Sequence, residues 1–159
     1  MSHARGEYKD FKALAPDAYD AVLALGGIAA KAGLDNKLLE LIKLRASQIN
    51  GCAHCIDMHT KELRADGESE QRLYLLDAWR ESPFYSERER AALAWTEALT
   101  LVTDGHVPDA VYDEVRAQFS EEELVNLTMA VIAINGANRL NIAFRTVPGS
   151  HRAKVRAAS

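Results

Sequence analysis

Apolar residues along this chain recur at intervals of three and four positions. No segment of useful length alternates apolar and polar residues as a half-buried strand does. The first periodic segment starts at Pro16 and stops near Gly33, and the second starts after the N-cap candidate Asp35 and stops at Asn50-Gly51. The pattern therefore predicts an all-α fold.

Start and stop signals divide the rest of the chain into five further helices. These are a third helix from Cys52 to about Ala65, a fourth capped by Ser69, a fifth opened by the capping box Ser86/Glu89, a sixth opened by Pro108, and a seventh opened by the capping box Ser120/Glu123. We expect one compact multi-helix domain over residues 1–148, with a helix–turn–helix around the cysteines.

The predicted seventh helix, from about Glu121 to Arg145, is the longest, and it is apolar or small on nearly every face between Leu124 and Phe144. A helix that is apolar all round is buried on all sides. A domain of 159 residues has little room for such a helix. We therefore expect a homo-oligomer in which a partner subunit covers one face. A central core helix within a monomer is the alternative.

Composition narrows the class of protein. The formal net charge is −4 and no basic face dominates, so neither a nucleic-acid nor a membrane partner is expected. No apolar stretch approaches the roughly 20 residues of a membrane span, and the N-terminus lacks the apolar core of a signal peptide. The cytoplasm is the expected location. Residues 149–159, with Arg152, Lys154 and Arg156, are interpreted as a short, disordered basic tail.

The two cysteines of the chain lie three residues apart, at the start of the third predicted helix. Cys52, Cys55 and His59 stand at positions i, i+3 and i+7 and share one helix face, while His54 points elsewhere. Residues three apart have Cβ atoms roughly 5–6 Å apart, and a disulfide needs about 3.5–4.5 Å. A modest adjustment in the first turn therefore allows the two cysteines to pair.

The position of the two cysteines at the start of a helix also favours thiol reactivity. A helix N-terminus presents unpaired N–H groups and partial positive charge, which stabilise a thiolate. His59 lies one turn beyond Cys55 and can act as a base towards it, directly or through water. Glu40, on the preceding helix across the Asn50-Gly51 turn, can orient that base. The residues thus predict a Glu–His–Cys relay.

Two other interpretations of this cluster remain open. The first is a zinc site, in which both cysteines, one of His54 and His59, and Glu40 are the ligands. Structural zinc sites of this spacing, however, normally use a second pair of ligands elsewhere in the chain. Inert packing cysteines are the other. For His54 a surface or capping role is as compatible with the sequence as a catalytic one.

The residue pattern resembles the alkylhydroperoxidase D-like proteins of the carboxymuconolactone decarboxylase family. Their motif places Glu, eleven residues, then Cys-x-His-Cys-x-x-x-His, and it is matched by Glu40, Cys52, His54, Cys55 and His59. The segment 134–141, Ile-Asn-Gly-Ala-Asn-Arg-Leu-Asn, also resembles the late helix of this group. The resemblance covers most of the chain, and the motif is its most specific part.

The resemblance implies an all-helical trimer or hexamer that acts as a thiol peroxidase on hydrogen peroxide or small organic hydroperoxides. By that analogy Cys55 attacks the peroxide and Cys52 resolves the sulfenic acid to a disulfide. A lipoyl- or thioredoxin-like dithiol reduces the disulfide, and no bound cofactor is needed. The helix N-terminus by itself favours Cys52 as the stronger thiolate. A dithiol–disulfide oxidoreductase, a decarboxylase-like enzyme, and a non-catalytic redox sensor or metal-binding scaffold are the alternatives.

Overall fold

The computed structural model describes residue 5 and residues 8–153. Over this part of the chain there are eight α-helices, a single turn of 3-10 helix at Leu76–Ala78, and no strand. The helices are α1 Tyr8–Leu14, α2 Pro16–Lys31, α3 Asn36–Asn50, α4 Ala53–Ala65, α5 Glu70–Leu75, α6 Glu87–Thr100, α7 Asp109–Gln118 and α8 Glu121–Phe144. The predicted all-α class is confirmed.

The capping signals of the sequence set the helix ends. The Asp35 carboxylate accepts a hydrogen bond from the Leu38 N–H at 2.8 Å, and both predicted capping boxes, Ser86/Glu89 and Ser120/Glu123, form with reciprocal bonds. The third predicted helix begins one residue later than expected, because Cys52 is its N-cap. The seven predicted helices therefore correspond to α2–α8.

Helix α1 was not predicted, because its sequence is short and rich in charge. Phe11, on this helix, is buried, and its ring lies 4.9 Å from that of Phe144 at the end of α8. The apolar partner of α1 thus comes from more than 130 positions further along the chain. A local pattern does not contain that contact.

Helix α3 is the centre of the domain and packs against α4, α6 and α8. From Leu38 to Ser47 every residue except Lys43 and Arg45 is buried. Burial on all sides holds this helix rigidly, since close-packed interiors leave few voids. Its one buried carboxylate, Glu40, is therefore fixed in position.

Helix α8 packs along α2 and α3 but keeps an exposed apolar stripe. Val125, Met129 and Ile132, at spacings of four and three, form this stripe on one face. A single copy of the chain thus leaves part of α8 uncovered. The prediction of a partner subunit on this face stays a prediction.

The chain beyond α8 returns to α4. The Gly149 N–H donates to the Asp57 carboxylate at 2.9 Å, Lys61 donates to the His151 carbonyl at 3.3 Å, and His151 Nε2 lies 2.6 Å from a Glu62 oxygen. Residues 154–159, which hold most of the predicted disordered tail, lie outside the described residues. Among the helices described, none combines the length and apolarity that crossing a bilayer requires.

Candidate active site

A tight turn between α3 and α4 builds the site. Gly51 ends α3 with φ of 70°, a left-handed conformation that glycine adopts without strain. The Cys52 N–H then donates to the Ser47 carbonyl at 3.0 Å, and α4 starts at the next residue. This reversal places His59 beside Glu40, with 2.7 Å between Nδ1 and Oε2. The structure thus brings together the carboxylate and the base of the predicted relay.

Glu40 is an ionised, buried carboxylate. Burial alone raises the pKa of its carboxyl group, but the hydrogen bond and charge of His59, together with Lys43, outweigh burial and lower the pKa to about 2 from 4.5. Lys43 Nζ donates to the second carboxylate oxygen at 2.8 Å. Both oxygens of Glu40 are therefore occupied by donors.

The ionised state of Glu40 determines the tautomer of neutral His59. A carboxylate only accepts hydrogen bonds, so Nδ1 of His59 must carry the proton. Nε2 of the neutral ring is then a lone-pair acceptor. This atom is buried and has no hydrogen-bond partner among the described residues. An oriented imidazole with a free Nε2 is the arrangement expected of a general base.

Cys52 and Cys55 form a disulfide, with their Cα atoms 5.3 Å apart. Both side chains are buried, at 1% and 0% exposure. The Cys55 N–H donates to Cys52 Sγ at 3.4 Å, and in the reduced state this donor would stabilise a negative charge on that sulfur. Within the part of the chain described, no group of three or more His, Cys, Asp or Glu side chains is arranged to hold a metal ion.

Two cavities flank this pair of helices. The larger, of about 610 Å³, has a polar wall that includes His59, Glu40 and Lys43, and an apolar wall from α2 and α8. The smaller, of about 340 Å³, is lined by Cys52 and by residues 145–148 beyond α8. His59 and Cys52 thus line different cavities.

His54 borders both cavities. Its Nδ1 lies 3.3 Å from the Val147 carbonyl, which can only accept, so this nitrogen donates. Burial lowers the pKa of His54, against opposite effects of the Val147 bond and Asp57. His54 therefore contacts the segment that covers Cys52. The catalytic roles of His54, Cys52, Cys55, His59 and Glu40 stay predictions.

Two residues at the site were not singled out from the sequence. Lys43 stands at i+3 from Glu40, a spacing that is itself a signal for a helical ion pair. Asn141 donates its side-chain amide to Cys55 Sγ at 3.6 Å from a position 86 residues away. Only the tertiary fold brings that amide to the sulfur.

Comparisons with known proteins agree with this architecture. Residues 16–98 match the family model for the carboxymuconolactone decarboxylase family. The chain is 43% identical over 130 residues to the uncharacterized protein YdfG of Bacillus subtilis, spanning 82% of this chain and 88% of that protein.

Solved structures extend the comparison. A protein of unknown function from Agrobacterium tumefaciens, ATU0492, for which an AhpD antioxidant defence role has been suggested, is 45% identical with a TM-score of 0.86 over 94% of this chain and 100% of its own. The alkylhydroperoxidase AhpD core of an uncharacterized peroxidase-related protein from Ralstonia eutropha shares the fold at 20% identity, with a TM-score of 0.75 over 87% of this chain and 74% of that one. The chain therefore belongs to the carboxymuconolactone decarboxylase family, among its AhpD-like members.

Proposed function

We propose that the protein is a thiol-dependent peroxidase that reduces hydrogen peroxide or small organic hydroperoxides through a Cys52/Cys55 dithiol–disulfide cycle. One observation carries the proposal. In the Glu40–His59 pair, His59 lines a cavity and its buried Nε2 has no hydrogen-bond partner among the described residues, one helical turn from a cysteine that pairs with its neighbour. The peroxidase-related and antioxidant descriptions of the structural relatives support the same class of reaction.

The cycle begins with the reduced dithiol. His59 Nε2 removes the proton of the Cys55 thiol, directly or through a water molecule, and Glu40 stabilises the imidazolium that results. The thiolate attacks one peroxide oxygen, the O–O bond breaks, and the departing alkoxide takes the proton from His59. The products are a sulfenic acid on Cys55 and one alcohol, or water when the substrate is hydrogen peroxide.

The second half of the cycle regenerates the thiols. Cys52 attacks the sulfenic sulfur, which forms the disulfide and releases water. A partner dithiol, lipoyl- or thioredoxin-like, then attacks the disulfide, becomes oxidised, and returns two electrons and two protons to the cysteines. Because Cys52 lines its own cavity, we propose that the reductant attacks its sulfur from that side.

A reductant-coupled peroxide assay tests this proposal. The purified protein is mixed with a dithiol, such as dihydrolipoamide, and with either hydrogen peroxide or a small organic hydroperoxide. We expect catalytic peroxide consumption that disappears in the Cys55→Ser variant. If no dithiol supports turnover while the Cys pair still oxidises readily, the peroxidase proposal is wrong.

A dithiol–disulfide oxidoreductase is the second candidate function. The observation that favours it is that Cys52, whose Sγ accepts from the Cys55 N–H, borders a cavity separate from that of the base. Such an enzyme would exchange disulfides with a dithiol partner and leave peroxide intact. A parallel assay with a disulfide substrate in place of the peroxide separates the two functions, because an oxidoreductase reduces the disulfide but consumes no peroxide.

A further inference from the structure

Asn141 lies on the inner face of α8, opposite the first turn of α4, and is 2% exposed. Its side-chain Nδ2 lies 3.6 Å from Cys55 Sγ and 2.8 Å from the Ala137 carbonyl oxygen. A distance near 3.6 Å falls within the hydrogen-bonding range of the larger sulfur atom. The amide thus reaches a sulfur that we assign to the reaction.

The orientation of this amide follows from its second contact. A carbonyl oxygen only accepts hydrogen bonds, so the group 2.8 Å from the Ala137 oxygen must be the NH₂ group of Asn141. That same NH₂ group is the one that lies 3.6 Å from Cys55 Sγ. Cys55 Sγ therefore faces a donor, and a negative charge on the sulfur is stabilised by it.

A buried polar network holds α8 in register with α3 next to this contact. Asn138, one turn before Asn141, donates to Ser47 Oγ at 3.0 Å and accepts from Asn50 at 2.9 Å. Asn138 is fully buried, and both of its partners lie in the last turn of α3 before the cysteines. The network fixes the distance between Asn141 and the α4 N-terminus.

The two sulfurs have different donors. The donor to Cys52 Sγ is the Cys55 N–H, in the first turn of α4. The sulfur of Cys55 is fully buried, and burial without a donor disfavours a thiolate. The donor seen at Cys55 Sγ comes from α8 instead, so the motif residues around the cysteines do not account for the whole site.

We propose that Asn141 is a catalytic residue whose side-chain amide donates a hydrogen bond to the Cys55 thiolate and holds that sulfur in its nucleophilic form. The inference rests on the proposed function only in assigning the attack to Cys55. The contact itself predicts a measurable property of the thiol, the pH at which it ionises, whether or not a peroxide is the substrate.

The test uses the Cys52→Ser background, in which Cys55 is the one thiol of the chain. The ultraviolet absorbance of the thiolate is followed as a function of pH in this background and after adding Asn141→Leu or Asn141→Asp. Hydrogen bonds to charged groups are worth enough to move such a midpoint by about one to two pH units. We expect Asn141→Leu to raise the midpoint by that amount. Asn141→Asp should raise it further, since a carboxylate repels the thiolate.

Asn126→Leu is the matched control. Asn126 lies on the same helix and makes the same type of bond, from Nδ2 to the Glu122 carbonyl at 2.9 Å, but about four helical turns before Asn141. The control should leave the midpoint unchanged. Asn141→Asp preserves the size of the side chain. If Asn141→Leu is poorly folded, the midpoint of Asn141→Asp alone is compared with that of the control.

An unchanged midpoint in Asn141→Asp, or equal midpoints in Asn141→Leu and the Asn126→Leu control, would overturn the inference. The result is independent of the proposed peroxidase activity, because no peroxide is present in the titration. A shifted midpoint in a protein that fails to turn over peroxide would uphold the role of Asn141 as a thiolate donor and refute the peroxidase function alone.

Discussion

Glu40→Gln is the most informative substitution at the site, because it removes the negative charge of the side chain and nearly preserves its shape. The pKa of the Glu40 carboxyl group falls from 4.5 to about 2 on folding. At 1.36 kcal/mol per pH unit, ionised Glu40 contributes about 3 kcal/mol to the free energy of unfolding. Glutamine retains an acceptor for Lys43 or His59, so we expect the variant to lose about 2 to 3 kcal/mol near pH 5.5.

The pH dependence of this loss has a definite sign. The pKa of Glu40 is lower in the folded than in the unfolded chain, so its stabilisation is complete above pH 4.5 and disappears as the pH falls towards 2. The difference between wild type and Glu40→Gln should shrink to about 1 kcal/mol at pH 3. Urea unfolding, monitored by circular dichroism at pH 5.5 and at pH 3, measures this difference in the free energy of unfolding.

Activity separates a functional carboxylate from a merely stabilising one. Without the negative charge of Glu40, His59 loses the stabilisation of its imidazolium form. We expect the rate constant for oxidation of Cys55 by peroxide to fall by about two orders of magnitude or more. Glu97→Gln is the control, because Glu97 is also a largely buried carboxylate, bound to Arg45 and Trp79 away from the cysteines. It should lose stability and keep its rate.

The reasoning is refuted if Glu40→Gln is as stable as wild type at pH 5.5, or if the stability difference is the same at pH 3. A rate equal to that of Glu97→Gln would refute the catalytic role of Glu40 and leave its structural role intact.

Three further results are expected. Dimedone should trap a sulfenic acid on Cys55 in the Cys52→Ser variant after peroxide, and trapping only on Cys52 in Cys55→Ser would reverse the assigned order. Gly51→Ala should lower the free energy of unfolding by about 1 kcal/mol because of its positive φ, whereas Gly27→Ala, in a helix with open space around it, should raise it by about 0.5 kcal/mol. Size-exclusion chromatography with light scattering should give three or six times 17.5 kDa, and a monomer mass would end the oligomer prediction.

Most of the fold follows from local signals in the sequence. Capping residues such as Asp35 and Ser120 satisfy the free N–H groups of the helix that follows, and the bond is made within four positions along the chain. For that reason the starts of α3 and α8 are predictable. Helix α1 is not, because the Phe11–Phe144 contact that accompanies it joins opposite ends of the chain.

The candidate site likewise has features that local sequence signals predict and features that depend on tertiary packing. The register of Cys52, Cys55 and His59 on one helix is local, and the tight turn at Gly51 makes the meeting with Glu40 predictable. Asn141 depends on how α8 lies across α4, a relation that helix periodicity does not encode. The two cavities, and the position of residues 145–148 beside Cys52, depend on the same tertiary packing.

The most direct test of the central claim is a thiol titration of the reduced protein before and after one equivalent of peroxide, repeated with a dithiol present. The account predicts that both thiols are lost together, that mass spectrometry finds them in a Cys52–Cys55 disulfide, and that the dithiol restores them. Two thiols that persist after peroxide treatment of the folded protein would contradict it.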